Sequence, residues 1–254
     1  MTGGSRGIGK AIARELATEG VDVAIVARSA EALERSAAEL AEATGQRIVP
    51  IVADTSSDAS VKAMVEQAAA TLGHLDILVN CAAQPGGQAA PPKLAEITDD
   101  AFYGDINVKV MGYLRCAREV APFMIRQGWG RIISISGLAA RQTGSTIGSI
   151  RNVAVVAMTK NLADELGKHG INVSVVHPGL TRTEKTPAVV AQRASRLGVS
   201  AEEAEKRMAT NIAGRLIDAR EIAYVVTFLA SPKAAAINGD VIAAGGGVSH
   251  AIYY

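Results

Sequence analysis

The chain has little to tie it to a membrane, a metal or a polyanion. Its 254 residues contain no apolar run long enough for a transmembrane helix. Lysine and arginine number 26 against 25 aspartates and glutamates, with no basic run, so neither nucleic acid nor an anionic membrane is indicated as a partner. Its two cysteines, Cys81 and Cys116, lack metal-ligand spacing; they read as reduced thiols, and no metal site is expected. No internal repeat or low-complexity tract is visible. Also lacking is an apolar segment ahead of Gly3, where only Met1 and Thr2 stand. A secretory signal would need an apolar core there, so a cytoplasmic address is expected.

What is present is a chain that is 48% hydrophobic, enough to bury a full core, and α/β folds of this length are commonly one domain; we read residues 1–254 as that domain. It opens Met1-Thr2-Gly3-Gly4-Ser5-Arg6-Gly7-Ile8-Gly9, a glycine-rich loop leading straight into a helix. Gly3, Gly7 and Gly9 let the backbone turn sharply and approach an anion, and the helix from Ile8 points free N–H groups at it. Such a loop normally follows a buried strand at the centre of a doubly wound sheet. Without that strand its two neighbours would lose backbone partners, so the reading frame is expected to be truncated.

Apolar strands and amphipathic helices alternate along the rest of the chain. Strands are expected at Val21–Ala27, Arg47–Asp54, Leu75–Asn80, Arg131–Ser136, Ile171–His177 and Asp240–Ala243, with helices at Ser29–Thr44, Ser57–Leu72, Ile106–Gln127, Ser149–Gly167 and Arg220–Leu229. Gln84–Pro92 is rich in Gly, Pro and Ala and reads as a surface loop; Thr181–Leu216 reads as a charged helical excursion of the lid type. Arg28 and Ser29 close the first of these strands, where the adenosine ribose of a dinucleotide would lie. An acidic residue there would bind a free ribose diol, whereas Arg28 and Arg6 suit a 2′-phosphate, so NADP(H) is favoured over NAD(H). Val153–Met158 is apolar on every side and therefore needs a second covering surface, which points to a subunit interface.

Together, the opening glycine loop, Asp54, Asn80-Cys81-Ala82-Ala83, Ile106-Asn107-Val108, Arg131-Ile132-Ile133-Ser134-Ile135-Ser136 and Pro178-Gly179-Leu180-Thr181-Arg182-Thr183 resemble the short-chain dehydrogenase/reductase family. The likeness runs end to end, through Glu221-Ile222-Ala223 to Asn238-Gly239-Asp240 and Gly245-Gly246-Gly247. It implies a single-domain Rossmann-type α/β fold with a doubly wound parallel sheet, whose first strand is missing here, and hydride transfer between a carbonyl and an alcohol. It also implies a homo-oligomer, commonly a tetramer, joined through helices 106–127 and 149–167. The cofactor-binding residues implied are Gly3, Ser5, Arg6, Gly7, Ile8, Gly9, Arg28, Ser29, Asp54, Asn80, Ala82, Pro178, Gly179 and Thr183.

The catalytic motif departs from the family. Counting back from Met158-Thr159-Lys160, the family's Tyr falls on Gly148 and its Lys, four residues on, falls on Asn152. The segment Gly148-Ser149-Ile150-Arg151-Asn152 holds no group that titrates near neutrality. The family's Ser falls on Gly137, with Ser136 adjacent, and Asn107 matches the residue that holds a water in the proton relay; Ser136 and Asn107 are the catalytic candidates that remain. No tyrosine lies between Tyr113 and Tyr224. Tyr113 reads as a core or interface side chain, Arg151 as an oxyanion stabiliser, His177 as a structural histidine, and Tyr253-Tyr254 as groups able to reach a neighbouring subunit. The expected activity is that of an oxidoreductase with an altered proton-transfer site, the alternative being a non-catalytic cofactor-binding subunit or sensor.

Overall fold

Successive side chains of a strand face opposite sides of a sheet, and here both sides are apolar, so the strands need helices on each face. The computed structural model describes residues 1–84 and 91–248. Its strands are β1 (Val23–Ala27), β2 (Ile48–Val52), β3 (Ile77–Asn80), β4 (Gly130–Ile135), β5 (Ile171–Pro178), β6 (Thr181–Arg182), β7 (Ile217–Asp218) and β8 (Val241–Ala244). The helices are α1 (Gly7–Thr18), α2 (Ala30–Thr44), α3 (Asp58–Leu72), α4 (Asp99–Ile106), α5 (Gly112–Gln127), α6 (Thr146–Leu166), α7 (Thr186–Leu197), α8 (Ala201–Met208) and α9 (Ala219–Ala230).

β1 pairs with β2, and β3, β4, β5 and β8 form a second row, all parallel. Thr2 bridges the two rows: it forms a parallel bridge with Val26, and its N–H donates to the Val79 carbonyl at 3.0 Å. The order is therefore β2-β1-Thr2-β3-β4-β5-β8, and the crossovers change direction at Thr2. Val23 and Ile25 join Val79, Ile133, Ile135 and Val176 under α1, α2 and α9. Ala24 and Val26 turn the other way, with Leu78, Ile132 and Val173, under α3, α5 and α6. This is the single-domain α/β architecture of a doubly wound parallel sheet.

Several boundaries differ from the sequence reading. The helix expected over 106–127 is broken: α4 begins at Asp99 behind the Thr98 cap, and a π-helical turn, Asn107–Met111, joins it to α5. α6 starts at Thr146 because the Ser145 hydroxyl accepts from the Gly148 N–H at 3.1 Å and caps the helix. The excursion after β6 is helical, α7 and α8 packing Val190, Ala194, Ala204, Met208 and Leu216 into a small core of their own. No helix among the described residues is long and apolar enough to cross a membrane.

Candidate active site

In open α/β sheets a ligand binds at the carboxyl ends of the strands where the strand order reverses. That point here is the loop after Thr2. Gly3 and Gly7 adopt φ of +69° and +56°, left-handed values that strain any side-chain-bearing residue. Gly9 is needed for a different reason, since a Cβ there would lie 2.1 Å from the Gly3 carbonyl oxygen. The loop therefore presses against α1 and leaves the helix N-terminus facing a groove of about 590 Å³. Its wall carries Gly3, Ser5, Arg6, Gly7, Ile8 and Gly9 from the loop, Arg28 and Ser29 after β1, Asp54 after β2, Ala82 after β3, and Gly179 and Thr183 after β5.

Two of the predicted cofactor residues are elsewhere. Asn80 is fully buried, and its amide donates to the Tyr113 carbonyl at 3.4 Å, so it ties β3 to α5 behind the groove. Pro178 lines a neighbouring cavity. Asp54 accepts from the Ser56 N–H at 2.9 Å and the Ser56 hydroxyl at 2.7 Å, which hold its carboxyl below the usual range. At the mouth of α1 the Gly7 N–H donates to both carboxylate oxygens of Glu184, each at 3.1 Å. A carboxylate thus already occupies the position where a helix N-terminus favours an anion, so the residues present suit a pyrophosphate. Glu184 carries no signal in the sequence that would have placed it there.

The neighbouring cavity, about 640 Å³, shares the residues Cys81, Ala83, Gly179 and Leu180 with the groove. Its polar lining includes Ser136, Lys109, Arg151 and Asn152, together with Gln142, Arg193, Arg207, Thr210 and Asn211. The Ser136 hydroxyl donates to the Asn152 carbonyl at 3.2 Å. Lys109 Nζ donates to the Asn152 Oδ1 and to the Ser136 carbonyl, both at 3.1 Å. Burial, reinforced by the charge of Arg151, pushes the Lys109 amine down to about 7. Arg151 is itself clamped to Asp105, its Nη1 lying 2.8 and 2.7 Å from the two carboxylate oxygens.

Asn107 is the catalytic candidate that the sequence singles out on this run, and Lys109 is not. The fold takes Asn107 away from the cavity wall: its Oδ1 accepts from Arg115 at 2.8 Å, and its amide donates to the Ser56 carbonyl at 3.5 Å. Gly148 is buried in the first turn of α6 and forms no part of either cavity wall. Tyr113 is fully buried and donates to the Ile135 carbonyl at 2.9 Å; burial raises its phenol well above the ordinary value, and it packs as core. His177 is fully buried, and its Nδ1 accepts from the Gly137 N–H at 3.2 Å. Burial, with the charges of Arg141 and Lys109, pushes this imidazole down to about 4, so it stays neutral and braces the Ser136–Gly137 turn. Burial raises Cys81 to about 11 and Cys116 to about 12, keeping both thiols protonated. Tyr253 and Tyr254 lie outside the described residues.

The arrangement is a dinucleotide-sized groove opening beside a polar cavity, and comparison with known proteins agrees with it. The family model described as enoyl-(acyl carrier protein) reductase matches residues 3–249. The chain is 34% identical to the short-chain reductase protein NovJ of Streptomyces niveus, over 97% of this chain and 92% of that protein. It is 36% identical to the 3-oxoacyl-[acyl-carrier-protein] reductase FabG of Pseudomonas aeruginosa, over 98% and 95%. The L-sorbose reductase of Gluconobacter frateurii, solved with NADPH and L-sorbose, superposes with a TM-score of 0.92 at 28% identity, over 99% of this chain and 96% of that one. An actinorhodin polyketide ketoreductase with NADPH superposes at 0.89 and 32% identity, over 98% and 96%. With its groove, its strand order and these relatives all in agreement, the chain belongs to the short-chain dehydrogenase/reductase family.

Proposed function

We propose that this protein is an NADP(H)-dependent oxidoreductase of carbonyl and alcohol substrates whose proton-transfer site differs from the family's usual one. The observation that carries the reading is the continuity of the two cavities: an anion-binding helix N-terminus at one end, and Ser136, Lys109 and Asn152 around the other. The glycine loop and Thr183 would hold the pyrophosphate, Asp54 and Ser29 would border the adenosine, and Arg6 and Arg28 would face a 2′-phosphate. When bound, NADPH supplies the hydride. The Ser136 hydroxyl lies in the adjoining cavity and would polarise the substrate oxygen on turning from the Asn152 carbonyl to which it donates.

Gly148 and Asn152 stand where the family's Tyr and Lys are expected, and no tyrosine lines either cavity among the described residues. That observation supports the second reading, a cofactor-binding subunit or sensor without turnover. Ile150 and Val153, on one face of α6, are 45% and 50% exposed in the single chain, which supports a homo-oligomer formed through α5 and α6. Fluorescence titration with NADPH and NADH, followed by a panel of carbonyls and alcohols read at the cofactor absorbance, tests the reading. NADPH binding with turnover supports the enzyme, and binding without turnover the sensor; light scattering gives the oligomeric state.

A further inference from the structure

Among the described residues Lys109 is the only buried lysine, with 3% of its surface exposed. A lysine buried for structure is normally neutralised by a carboxylate, because an unpaired charge in a low dielectric is costly. Lys109 has no such partner within reach. The acid whose charge acts on it, Asp105 on α4, spends both carboxylate oxygens on Arg151. What faces the amine instead is the Ser136 carbonyl from the end of β4, the Asn152 amide oxygen and Arg151 from α6, the protonated Cys81 thiol after β3, neutral His177 on β5, and the Tyr113 ring 6.0 Å away on α5.

Two of the three ammonium protons are taken up by the carbonyl and the amide oxygen, which leaves one for a ligand in the cavity whose wall Lys109 forms. The same wall carries Ser136. Asn152 is the hinge of the arrangement: at the position expected of the family's lysine it offers an acceptor, so the cation reaches the site from α4–α5 instead of from α6.

We propose that Lys109 is the proton donor and acceptor for the substrate oxygen, a catalytic residue standing in for the phenol that Gly148 cannot supply. The proposal rests on the oxidoreductase reading above. In reduction the C=O π bond breaks as the carbon gains the hydride; the oxygen takes a proton from the Lys109 ammonium, leaving a neutral amine that regains its proton from water. In oxidation the neutral amine takes the hydroxyl proton. An amine poised near neutrality serves both directions, and the Asn152 and Ser136 oxygens keep it aimed.

The first test needs no cofactor. In protein labelled with 13C-lysine, the Lys109 ε-carbon, assigned by its loss in Lys109→Met, should titrate near pH 7; titration above about pH 9 overturns the proposal. With NADPH bound, Lys109→Met and Lys109→Arg should both lose about 10²- to 10⁴-fold in kcat while NADPH affinity stays within threefold, since a guanidinium does not release its proton in this range. Ethylamine should restore part of the rate to Lys109→Ala. The native rate of reduction should fall, and that of oxidation rise, as pH passes through about 7. If the native protein does not bind NADPH, the functional reading falls and the assignment with it. If NADPH binds and Lys109→Met keeps its rate, or no carbonyl in the panel is reduced, the assignment falls and the cofactor reading stands.

Discussion

Asn152→Lys returns to α6 the cation that the family carries there, and the structure gives a definite reason for it to be harmful. The substitution removes the Oδ1 acceptor that lies 3.1 Å from Lys109 Nζ. Losing a hydrogen bond to a charged group costs about 1.5–3 kcal/mol. A second ammonium about 4 Å away adds roughly 4 kcal/mol of repulsion at an effective dielectric of 20. The protein escapes most of this by releasing the Lys109 proton, which burial and Arg151 have already brought down to about 7. The sign follows from that shift. A lysine whose folded value lies below its unfolded one burdens the fold in its charged form, so the repulsion acts below about pH 7 and fades above it, where the neutral amine can accept from the new ammonium. Urea unfolding should therefore show a loss that is larger near pH 6 than near pH 9 by about 1–1.5 kcal/mol, because releasing a proton from a group that titrates at about 7 costs about 1.4 kcal/mol for each pH unit below it. Equal losses at both pH values would refute the reasoning. For the same cause, Gly148→Tyr combined with Asn152→Lys should not restore the family's site while Lys109 is present; a Cβ at Gly148 would also lie 2.8 Å from the Ser145 hydroxyl that caps α6.

Three further outcomes are expected. Glu184→Gln should tighten NADPH by about 3- to 10-fold, because a competing carboxylate leaves the mouth of α1, and isothermal titration reads this directly. Arg28→Asp should reverse a preference for NADPH over NADH, and in the native protein that preference should narrow as salt is raised; the comparison is made by fluorescence in low and high salt. Gly9→Ala should weaken cofactor binding at least tenfold and lower the melting temperature by several degrees, since its Cβ would fall 2.1 Å from the Gly3 oxygen and the loop must move away from α1.

The fold was legible wherever local pattern and tertiary need coincide. In Val23–Ala27 the alternate residues serve opposite helix layers, and every one of them is apolar, which is what a doubly covered parallel strand requires. The glycine loop was readable because Gly3 and Gly7 answer to backbone angles, a constraint that composition carries directly. The break at Asn107–Met111 was not, since no proline or glycine lies inside it. Lys109 does not stand out, because a lysine in an amphipathic helix ordinarily reads as a solvent-facing charge. The contrary signal was there: Tyr113, Cys116, Ala117, Val120 and Met124 form the buried stripe of α5, and Lys109 stands one turn before Tyr113 at the head of it. Glu184 reaches Gly7 across 177 positions of chain, a contact that no local pattern encodes.

The π turn at Asn107–Met111 joins two otherwise ordinary helices in one run. Relative to an α-helical path, such a turn is one residue too long, and it turns the side chains within it by about 100° against those that follow. Removing that extra residue would re-aim Lys109 and the whole of α4 relative to the buried stripe that Tyr113 begins. In genetic terms, the aim of a lysine into the cavity wall is set at the scale of a single codon, adjusted by one small insertion or deletion without rebuilding the helix that follows.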